Sequence, residues 1–231
     1  MANDKVSRRD FLANSSLAAG TAVASSGAGH VHAQEAAEHV QSDYSVRAKA
    51  LVSVLTKKNL VDPATMDAVV EFYETRVGPH IGARLVARSW VDPEFRARLL
   101  ADARAVARDE QLTGLQGTDL VAVENTRRVH NLVVCTLCSC YPWTVLGLPP
   151  TWYKDSGYRA RAVIDPRGVL REFGLELGDD VEVRVWDSTA EIRYLVIPER
   201  PPGTEGMSQE DLARLVTRDS MVGAEKLRAP A

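Results

Sequence analysis

The three cysteines of this 231-residue chain all lie within one hexapeptide, at positions 135, 138 and 140. Side chains on a tight turn can converge on one point, whereas successive side chains of a β-strand point to opposite faces. Thiolate sulfur selects soft or borderline metal ions, so the spacing of Cys135, Cys138 and Cys140 predicts a metal site. The odd number of cysteines also argues against a disulfide framework, because pairing would leave one thiol over.

The predicted site lacks the fourth side chain that a structural zinc ion normally has. His130 is the nearest candidate, but it lies five residues before Cys135 on the approaching strand, and no second cluster of cysteine or histidine follows. Main-chain amides are the remaining donors, and an amide nitrogen binds a metal only when deprotonated, which requires a strongly polarising, trivalent ion. We therefore interpret residues 135–140 as a cysteine claw with an open coordination position. The alternative, a loop of three inert thiols, leaves the clustering of every cysteine unexplained.

Composition excludes several classes of protein. The 28 Lys and Arg residues against 31 Asp and Glu residues give a net charge of −3, which provides no positive field for nucleic acid. With 45% hydrophobic and 26% charged residues, the chain can bury a core and is not disordered throughout. No apolar run reaches the roughly 20 residues that span a bilayer. We therefore expect a globular protein without a nucleic-acid partner and without a membrane span.

The first 33 residues have the features of a targeting segment. The pair Arg8 and Arg9 precedes a weakly apolar run rich in alanine, serine and glycine, which ends in small residues near Ala33. This order matches a twin-arginine export signal. Because that pathway carries folded proteins, the signal predicts that the protein takes up its metal in the cytoplasm and is then exported to the periplasm. A disordered segment on a cytoplasmic protein is the alternative.

Residues 42–111 have the pattern of helices. Apolar residues recur at spacings of three and four, and Asp62 and Asp92 each stand as an N-cap before a proline at the first helical position. The apolar faces are narrow. We therefore expect an extended N-terminal helical arm that needs a partner chain, rather than a compact bundle.

Residues 112–224 change to short strands and helices, and we expect them to form the metal-binding core. Residues 120–124 and 132–135 are β-like, and residues 181–186 and 191–197 are predicted to form a hairpin around residues 187–189. A helix is expected to end at Gly174, and another to begin after Ser208. The predicted fold class is α+β: the helical arm, then a layered α/β core that carries the cysteine claw, then a tail at residues 225–231.

The cysteine claw and its flanks resemble the alpha subunit of nitrile hydratases. Residues 134–154 read VCTLCSCYPWTVLGLPPTWYK. Supporting stretches are WVDPEF at 90–95, VENT at 123–126, DPRG at 165–168, AEIRY at 190–194 and GTEG at 203–206. The resemblance covers about residues 44–223, which is nearly the whole chain after the targeting segment.

The resemblance implies one low-spin Co(III) centre per chain, with Fe(III) as the alternative. Its ligands would be the sulfurs of Cys135, Cys138 and Cys140 and the main-chain nitrogens of Ser139 and Cys140. In the family the second and third cysteines are oxidised, which maps sulfinic acid onto Cys138 and sulfenic acid onto Cys140. Thr136 favours cobalt, because cobalt-type members carry threonine at this position and iron-type members carry serine.

The implied activity is the hydration of a small nitrile to an amide, with the metal acting as a Lewis acid. The nucleophile is either a water activated by the metal or the Cys140 sulfenate oxygen, and the sequence leaves both open. A glutamine that lies near the metal in the family matches Gln116. Cys140 and Gln116 are therefore the candidate catalytic residues.

The resemblance also implies partners. In the family, arginines of a separate beta subunit donate hydrogen bonds to the oxidised cysteines, so we expect an obligate beta subunit, in a heterodimer or heterotetramer, and a cobalt activator protein. The chain's own Arg127, Arg128, Arg159 and Arg161 are interpreted as surface or interface charges.

Three departures from the family pattern limit what the resemblance implies. Thr144 and Arg127 stand where proline is usual, on the two sides of the cysteine claw, so the substrate range stays open. The export signal is the third departure, because typical members are cytoplasmic. Two other functions are considered: the metal-binding subunit of a thiocyanate hydrolase, which shares the claw, and a non-catalytic zinc- or cobalt-binding module.

Overall fold

The computed structural model describes residues 43–112 and 119–228. The targeting segment and Gln116 lie outside these ranges. The helices are α1 (Asp43–Lys57), α2 (Pro63–Thr75), α3 (His80–Val91), α4 (Pro93–Ala101), α5 (Ala103–Asp109), α6 (Trp143–Leu146), α7 (Thr151–Lys154), α8 (Ser156–Ile164), α9 (Pro166–Glu172) and α10 (Gln209–Leu215). The strands are β1 (Asp119–Glu124), β2 (Val129–Val134), β3 (Glu182–Asp187) and β4 (Ile192–Ile197), and a 3-10 turn covers Ser220–Val222. None of the described helices is both long and apolar enough to cross a membrane.

The four strands form two parallel pairs. β1 pairs with β4, with Asp119 opposite Ile192. β2 pairs with β3, and Val134 at the end of β2 lies opposite Asp187 at the end of β3. This register brings the end of β3 beside the residue at which the cysteine claw begins.

The predicted hairpin around residues 187–189 is wrong, because β3 and β4 lie in different sheets. The Ser188 N–H donates to the Val134 carbonyl (2.7 Å) and extends the β2–β3 ladder, whereas the Asp119 N–H donates to the Glu191 carbonyl (2.8 Å) and begins the β1–β4 ladder. The short connection therefore carries the chain from one sheet to the other. Closeness in sequence gave a hairpin pattern, but packing against the earlier strands decided the pairing.

The core lies where the strands meet the surrounding helices. Residues 132–134 of β2 and residues 195–197 of β4 have no exposed surface. Continuous apolar runs of this kind are typical of parallel strands that are covered on both faces. The cysteine claw thus begins directly from a rigid, fully buried strand.

The predicted helix boundaries are largely confirmed. The side chains of Asp62, Asp92 and Ser208 each accept a hydrogen bond from a main-chain N–H in the first turn of the helix that follows. α9 ends just before Gly174, which has a φ of +78°. These caps satisfy donors and acceptors that a helix end leaves free, so they could be recognised from residue type alone.

The helices of residues 42–111 differ in their burial. α3 buries Leu85 and Val86, and α4 buries Phe95 and Leu99 against the core. By contrast, α1 leaves apolar side chains such as Leu51 exposed, and α2 does the same. The apolar surface expected for an extended arm is therefore found on α1 and α2, whereas α3 and α4 are part of the core. The division of the chain near residue 111 stays a prediction.

Candidate metal centre

The loop after β2 brings three cysteine sulfurs together. The Cys138 Sγ lies 3.4 Å from the Cys135 Sγ and 3.0 Å from the Cys140 Sγ. All three sulfurs lie within 4.8 Å of one another. Cys135 is buried, Cys140 is half-buried and Cys138 is exposed. The trio therefore has one side against the core and one side open to a ligand.

The local turn explains this convergence. The Cys138 N–H donates to the Cys135 Sγ at 3.3 Å, which folds the chain back on the first cysteine. Cys135 follows the last residue of β2, so its position is set by the buried strand. The three sulfurs are consequently assembled by a short loop anchored on one rigid element.

Asp187 holds the first part of the cysteine claw. Its carboxylate accepts a hydrogen bond from the Thr136 N–H (2.9 Å) and another from the Thr136 hydroxyl (2.6 Å). Sequence reasoning treated Asp187 as a turn residue and missed this contact. The signal that reveals it is the β2–β3 register, which no local pattern contains.

α8 also contacts this region. The Tyr158 hydroxyl donates to the Val133 carbonyl (2.6 Å), and Arg159 donates to the Thr136 carbonyl (3.4 Å). Arg159 therefore reaches the cysteine claw. Arg161 pairs instead with Glu172, at 2.8 Å for the Nη2 contact.

Other residues with predicted roles lie outside the sulfur cluster. Arg127 and Arg128 are exposed in the turn between β1 and β2. His130, the nearest candidate for a fourth ligand, is buried, and its Nε2 lies 2.7 Å from the Gly223 carbonyl oxygen. Among the described residues, the cluster of potential ligands contains the three cysteines and does not include His130. The position of Gln116 is not described, so its role stays a prediction.

The far end of the cysteine claw is held from the core side. The Tyr153 hydroxyl donates to the Cys140 carbonyl oxygen at 2.9 Å. Burial raises the pKa of Tyr153 well above its usual value, so the phenol remains a donor at neutral pH. The Arg193 guanidinium is also buried, and its Nη1 donates to the Ile192 carbonyl (3.2 Å).

The Cys138 and Cys140 thiols influence each other's ionisation. Hydrogen bonding, foremost with the Cys140 thiol, lowers the pKa of Cys138 to about 7. Desolvation raises the pKa of Cys140 to about 12, and the positive charge of Arg193 partly offsets that increase. The pair therefore releases one proton near neutral pH and retains the second. Because a coordinated thiol is deprotonated by the ion it binds, this donor set fits a soft or borderline metal cation.

Comparison with known proteins agrees with this geometry. The family model "Nitrile hydratase, alpha chain" matches residues 42–225. The low-molecular-weight cobalt-containing nitrile hydratase subunit alpha of Rhodococcus rhodochrous is 54% identical over 189 residues, which cover 82% of this chain and 91% of that protein. The thiocyanate hydrolase subunit gamma of Thiobacillus thioparus is 37% identical over 193 residues, covering 79% of each chain.

A solved structure gives the same result for the fold. A chain of a double-mutant Fe-type nitrile hydratase from Comamonas testosteroni Ni1 superposes with a TM-score of 0.74 at 38% identity, covering 83% of this chain and 93% of that one. Sequence, fold and the converging cysteines therefore agree. The chain belongs to the nitrile hydratase alpha-chain family.

Proposed function

We propose that this chain is the metal-binding subunit of a nitrile hydratase that converts a nitrile to an amide after assembly with a beta subunit. The observation that carries the proposal is the convergence of three cysteine sulfurs within 4.8 Å at the end of a buried strand. The 54% identity to a cobalt-containing nitrile hydratase subunit alpha supports the same activity.

The donor set supports a trivalent cobalt ion held by five atoms of the cysteine claw. These are the sulfurs of Cys135, Cys138 and Cys140 and the main-chain nitrogens of Ser139 and Cys140. Both main-chain amides already interact with the Cys138 sulfur and help to lower its pKa. Bound cobalt supplies a Lewis acid that polarises the nitrile carbon. Thr136 and the cobalt-containing relatives favour cobalt, and the Fe-type structural neighbour keeps Fe(III) as the alternative.

The oxidation proposed for Cys138 agrees with the accessibility of its thiol. Cys138 is exposed and has the lowered pKa, which favours oxidation because the thiolate is the reactive form. We assign sulfinic acid to Cys138 and sulfenic acid to Cys140, as the resemblance to the family implies, with dioxygen as the oxidant. The Cys140 oxygen would then either attack the nitrile carbon, with a water replacing the oxygen that leaves in the amide, or accept a proton from a water that attacks the carbon. Gln116 is proposed to orient the substrate beside it.

The surrounding residues position this oxygen and balance its charge. Asp187 fixes the first half of the cysteine claw through Thr136. Arg193 places a buried positive charge close enough to influence the Cys140 thiol. Further donors to the oxidised cysteines are proposed to come from the beta subunit, which closes the open side.

Two other functions are the alternatives to this proposal. A thiocyanate hydrolase uses a related chain, but identity to its gamma subunit is 37%, against 54% for the nitrile hydratase relative. A non-catalytic zinc- or cobalt-binding module is the other. The reaction product and the identity of the bound metal distinguish these three functions.

The decisive experiment is co-expression of this chain with a nitrile hydratase beta subunit and a cobalt activator protein. We expect one cobalt per chain, amide formation from a small nitrile, and a visible sulfur-to-cobalt charge-transfer band. Cobalt without amide, but with thiocyanate consumption, would assign a thiocyanate hydrolase. Zinc at unit stoichiometry with unoxidised thiols would overturn the hydratase assignment.

Substitutions in the cysteine claw test the ligand set. Cys138→Ser and Cys140→Ser are expected to abolish both the charge-transfer band and amide formation. Ser139→Ala is the matched control, because Ser139 is proposed to contribute its main-chain nitrogen and not its hydroxyl, and it should retain cobalt. Turnover in either cysteine variant would show that the cysteine claw is not the active centre.

We also propose export of the assembled protein through the twin-arginine pathway. The basis is the sequence of residues 1–33, with Arg8 and Arg9 before a weakly apolar run. Replacing both arginines with lysine should retain the protein in the cytoplasm with its cobalt content unchanged. An unchanged periplasmic fraction would contradict this proposal.

A further inference from the structure

Tyr153 contacts the cysteine claw without supplying a metal ligand. Its hydroxyl donates to the main-chain carbonyl of Cys140 at 2.9 Å. Tyr153 has no exposed surface, and its ring packs edge-on against Tyr141, with 4.9 Å between centroids. A second ring, that of Tyr158, lies 5.9 Å away. Because packing fixes the orientation of the ring, the hydroxyl occupies a defined position behind Cys140.

The two ends of the cysteine claw are held by different elements. The first end continues from β2 and is bound through Thr136 to Asp187 of β3. The second end has left the sheet, and Tyr153 of α7 binds it at Cys140. The 3.0 Å separation between the Cys138 and Cys140 sulfurs therefore depends on the position of the second end relative to the first.

We propose that Tyr153 is a positioning residue whose hydroxyl holds Cys140 so that its sulfur stays beside that of Cys138 for metal capture. The link to metal capture rests on the function proposed above, whereas the positioning itself concerns the metal-free chain. A hydroxyl that donates to a main-chain carbonyl restricts the rotation of that peptide, and thereby the direction in which the cysteine side chain leaves the loop. Tyr153→Phe removes this bond and keeps the aromatic packing.

Tyr158→Phe is the matched control. The Tyr158 hydroxyl is a buried donor from the same aromatic cluster, but it binds the Val133 carbonyl (2.6 Å), which precedes the cysteine claw. Both substitutions remove one tyrosine-to-carbonyl hydrogen bond inside the core. A general loss of stability should therefore affect both variants, whereas a positioning effect should be confined to Tyr153→Phe.

The test uses the reduced, metal-free full-length chain and phenylarsine oxide, a reagent that bridges two thiols held close together. We expect Tyr153→Phe to capture the arsenical about three- to ten-fold more slowly than the unmodified chain, which is the scale of one net hydrogen bond. Tyr158→Phe should capture it at the unmodified rate, with a melting temperature similar to that of Tyr153→Phe. Equal capture rates in Tyr153→Phe and the unmodified chain would overturn the inference.

A second measurement uses the cobalt-loaded complex with the beta subunit. Tyr153→Phe should lose cobalt to a chelator about three- to ten-fold faster, with a shifted charge-transfer band, and Tyr158→Phe should behave as the unmodified complex. If the unmodified complex forms no amide while the arsenical result holds, the proposed function fails and the positioning role stands. If Tyr153→Phe matches Tyr158→Phe in arsenical capture, the positioning role fails whatever the activity.

Discussion

At the scale of single residues, the cysteine claw depends on side chains that provide no metal ligand. Asp187 binds both donors of Thr136, and Arg193 brings a buried positive charge towards Cys140. A site with three sulfur ligands concentrates negative charge when the thiols ionise. The Arg193 cation reduces the cost of that charge, and the Asp187 carboxylate fixes Thr136, without either side chain occupying a coordination position.

Asp187→Asn tests this dependence. Asparagine keeps the shape of the side chain but offers one acceptor oxygen, so Thr136 loses one of its two hydrogen bonds. Because Asp187 is exposed in this chain, we expect the lost hydrogen bond to contribute only ~1 kcal/mol. We expect the cobalt retained after dialysis, and the rate of amide formation, to fall about three- to ten-fold.

The control for this prediction is Glu182→Gln. Glu182 begins the same strand, is exposed and pairs with Arg184 at 2.8 Å, away from the cysteine claw. It should leave cobalt retention unchanged. An equal effect of the two substitutions would mean that the negative charge of β3, and not the contact between Asp187 and Thr136, supports the site.

At the scale of secondary-structure elements, the sequence predicted where the helices and strands lie better than it predicted which strands pair. The apolar runs of β2 and β4, the acid caps and the final helix follow from local residue types. The pairing of β3 with β2 does not, because it is decided by packing between segments about 50 residues apart along the chain. Asp187 was therefore read as part of a turn, although it lies beside the cysteine claw. The cysteine ligands could be proposed from sequence because their spacing is itself local.

Gly223 shows how tightly the last turn packs on β2. It has a φ of +83°, and an added Cβ would lie 1.8 Å from the Asn131 carbonyl oxygen. Gly174 has a similar φ of +78°, but its added Cβ would meet nothing within 4 Å. The two glycines share a left-handed backbone conformation, which glycine adopts without strain, and differ in available space.

We therefore expect Gly174→Ala to cost about 1 kcal/mol, the cost of a left-handed conformation, and Gly223→Ala to cost more than about 3 kcal/mol. Urea unfolding monitored by circular dichroism measures both, and soluble yield reports the second if it fails to fold. Equal unfolding midpoints would show that β2 can move away from the turn.

The same junction predicts a dependence of stability on pH. His130 of β2 is buried, with its Nε2 2.7 Å from the Gly223 carbonyl, and desolvation lowers the pKa of His130 below its usual value. The unfolded chain therefore binds a proton near pH 6.5 that the folded chain does not. This contribution to stability is complete above that pH and is lost as the pH falls below it.

Thermal unfolding at pH 7.5 and pH 5.5 checks this expectation. The drop in melting temperature between the two pH values should be smaller for His130→Gln than for the unmodified chain. His80→Gln is the control, because His80 is exposed at the start of α3, and it should leave the drop unchanged. The same drop in all three proteins would exclude His130 as its source.

At the scale of the whole molecule, the exposed apolar surface of α1 indicates an incomplete assembly. Val46, Leu51 and Val54 are 50%, 58% and 48% exposed. Leu51 and Val54 lie three residues apart on one side of α1, whereas Lys49, two residues before Leu51, points away from Leu51. The small net charge of −3 gives little electrostatic protection against association through such a surface. A partner that covers this side would bury it, in line with the beta subunit proposed above.

Leu51→Glu tests whether this side of α1 contacts the beta subunit. Since Leu51 is 58% exposed, the substitution should leave the melting temperature of the isolated chain unchanged. Burying a charge in place of leucine at an interface forfeits ~1.5–3 kcal/mol of apolar burial, so we expect the Kd for the beta subunit to rise at least about ten-fold by titration calorimetry. Lys49→Glu changes the net charge by more than Leu51→Glu does, yet it should leave the Kd within about two-fold because Lys49 points away from Leu51. A larger effect from Lys49→Glu would instead assign association to the charge of α1, and the apolar side would then have to be covered by another part of this chain.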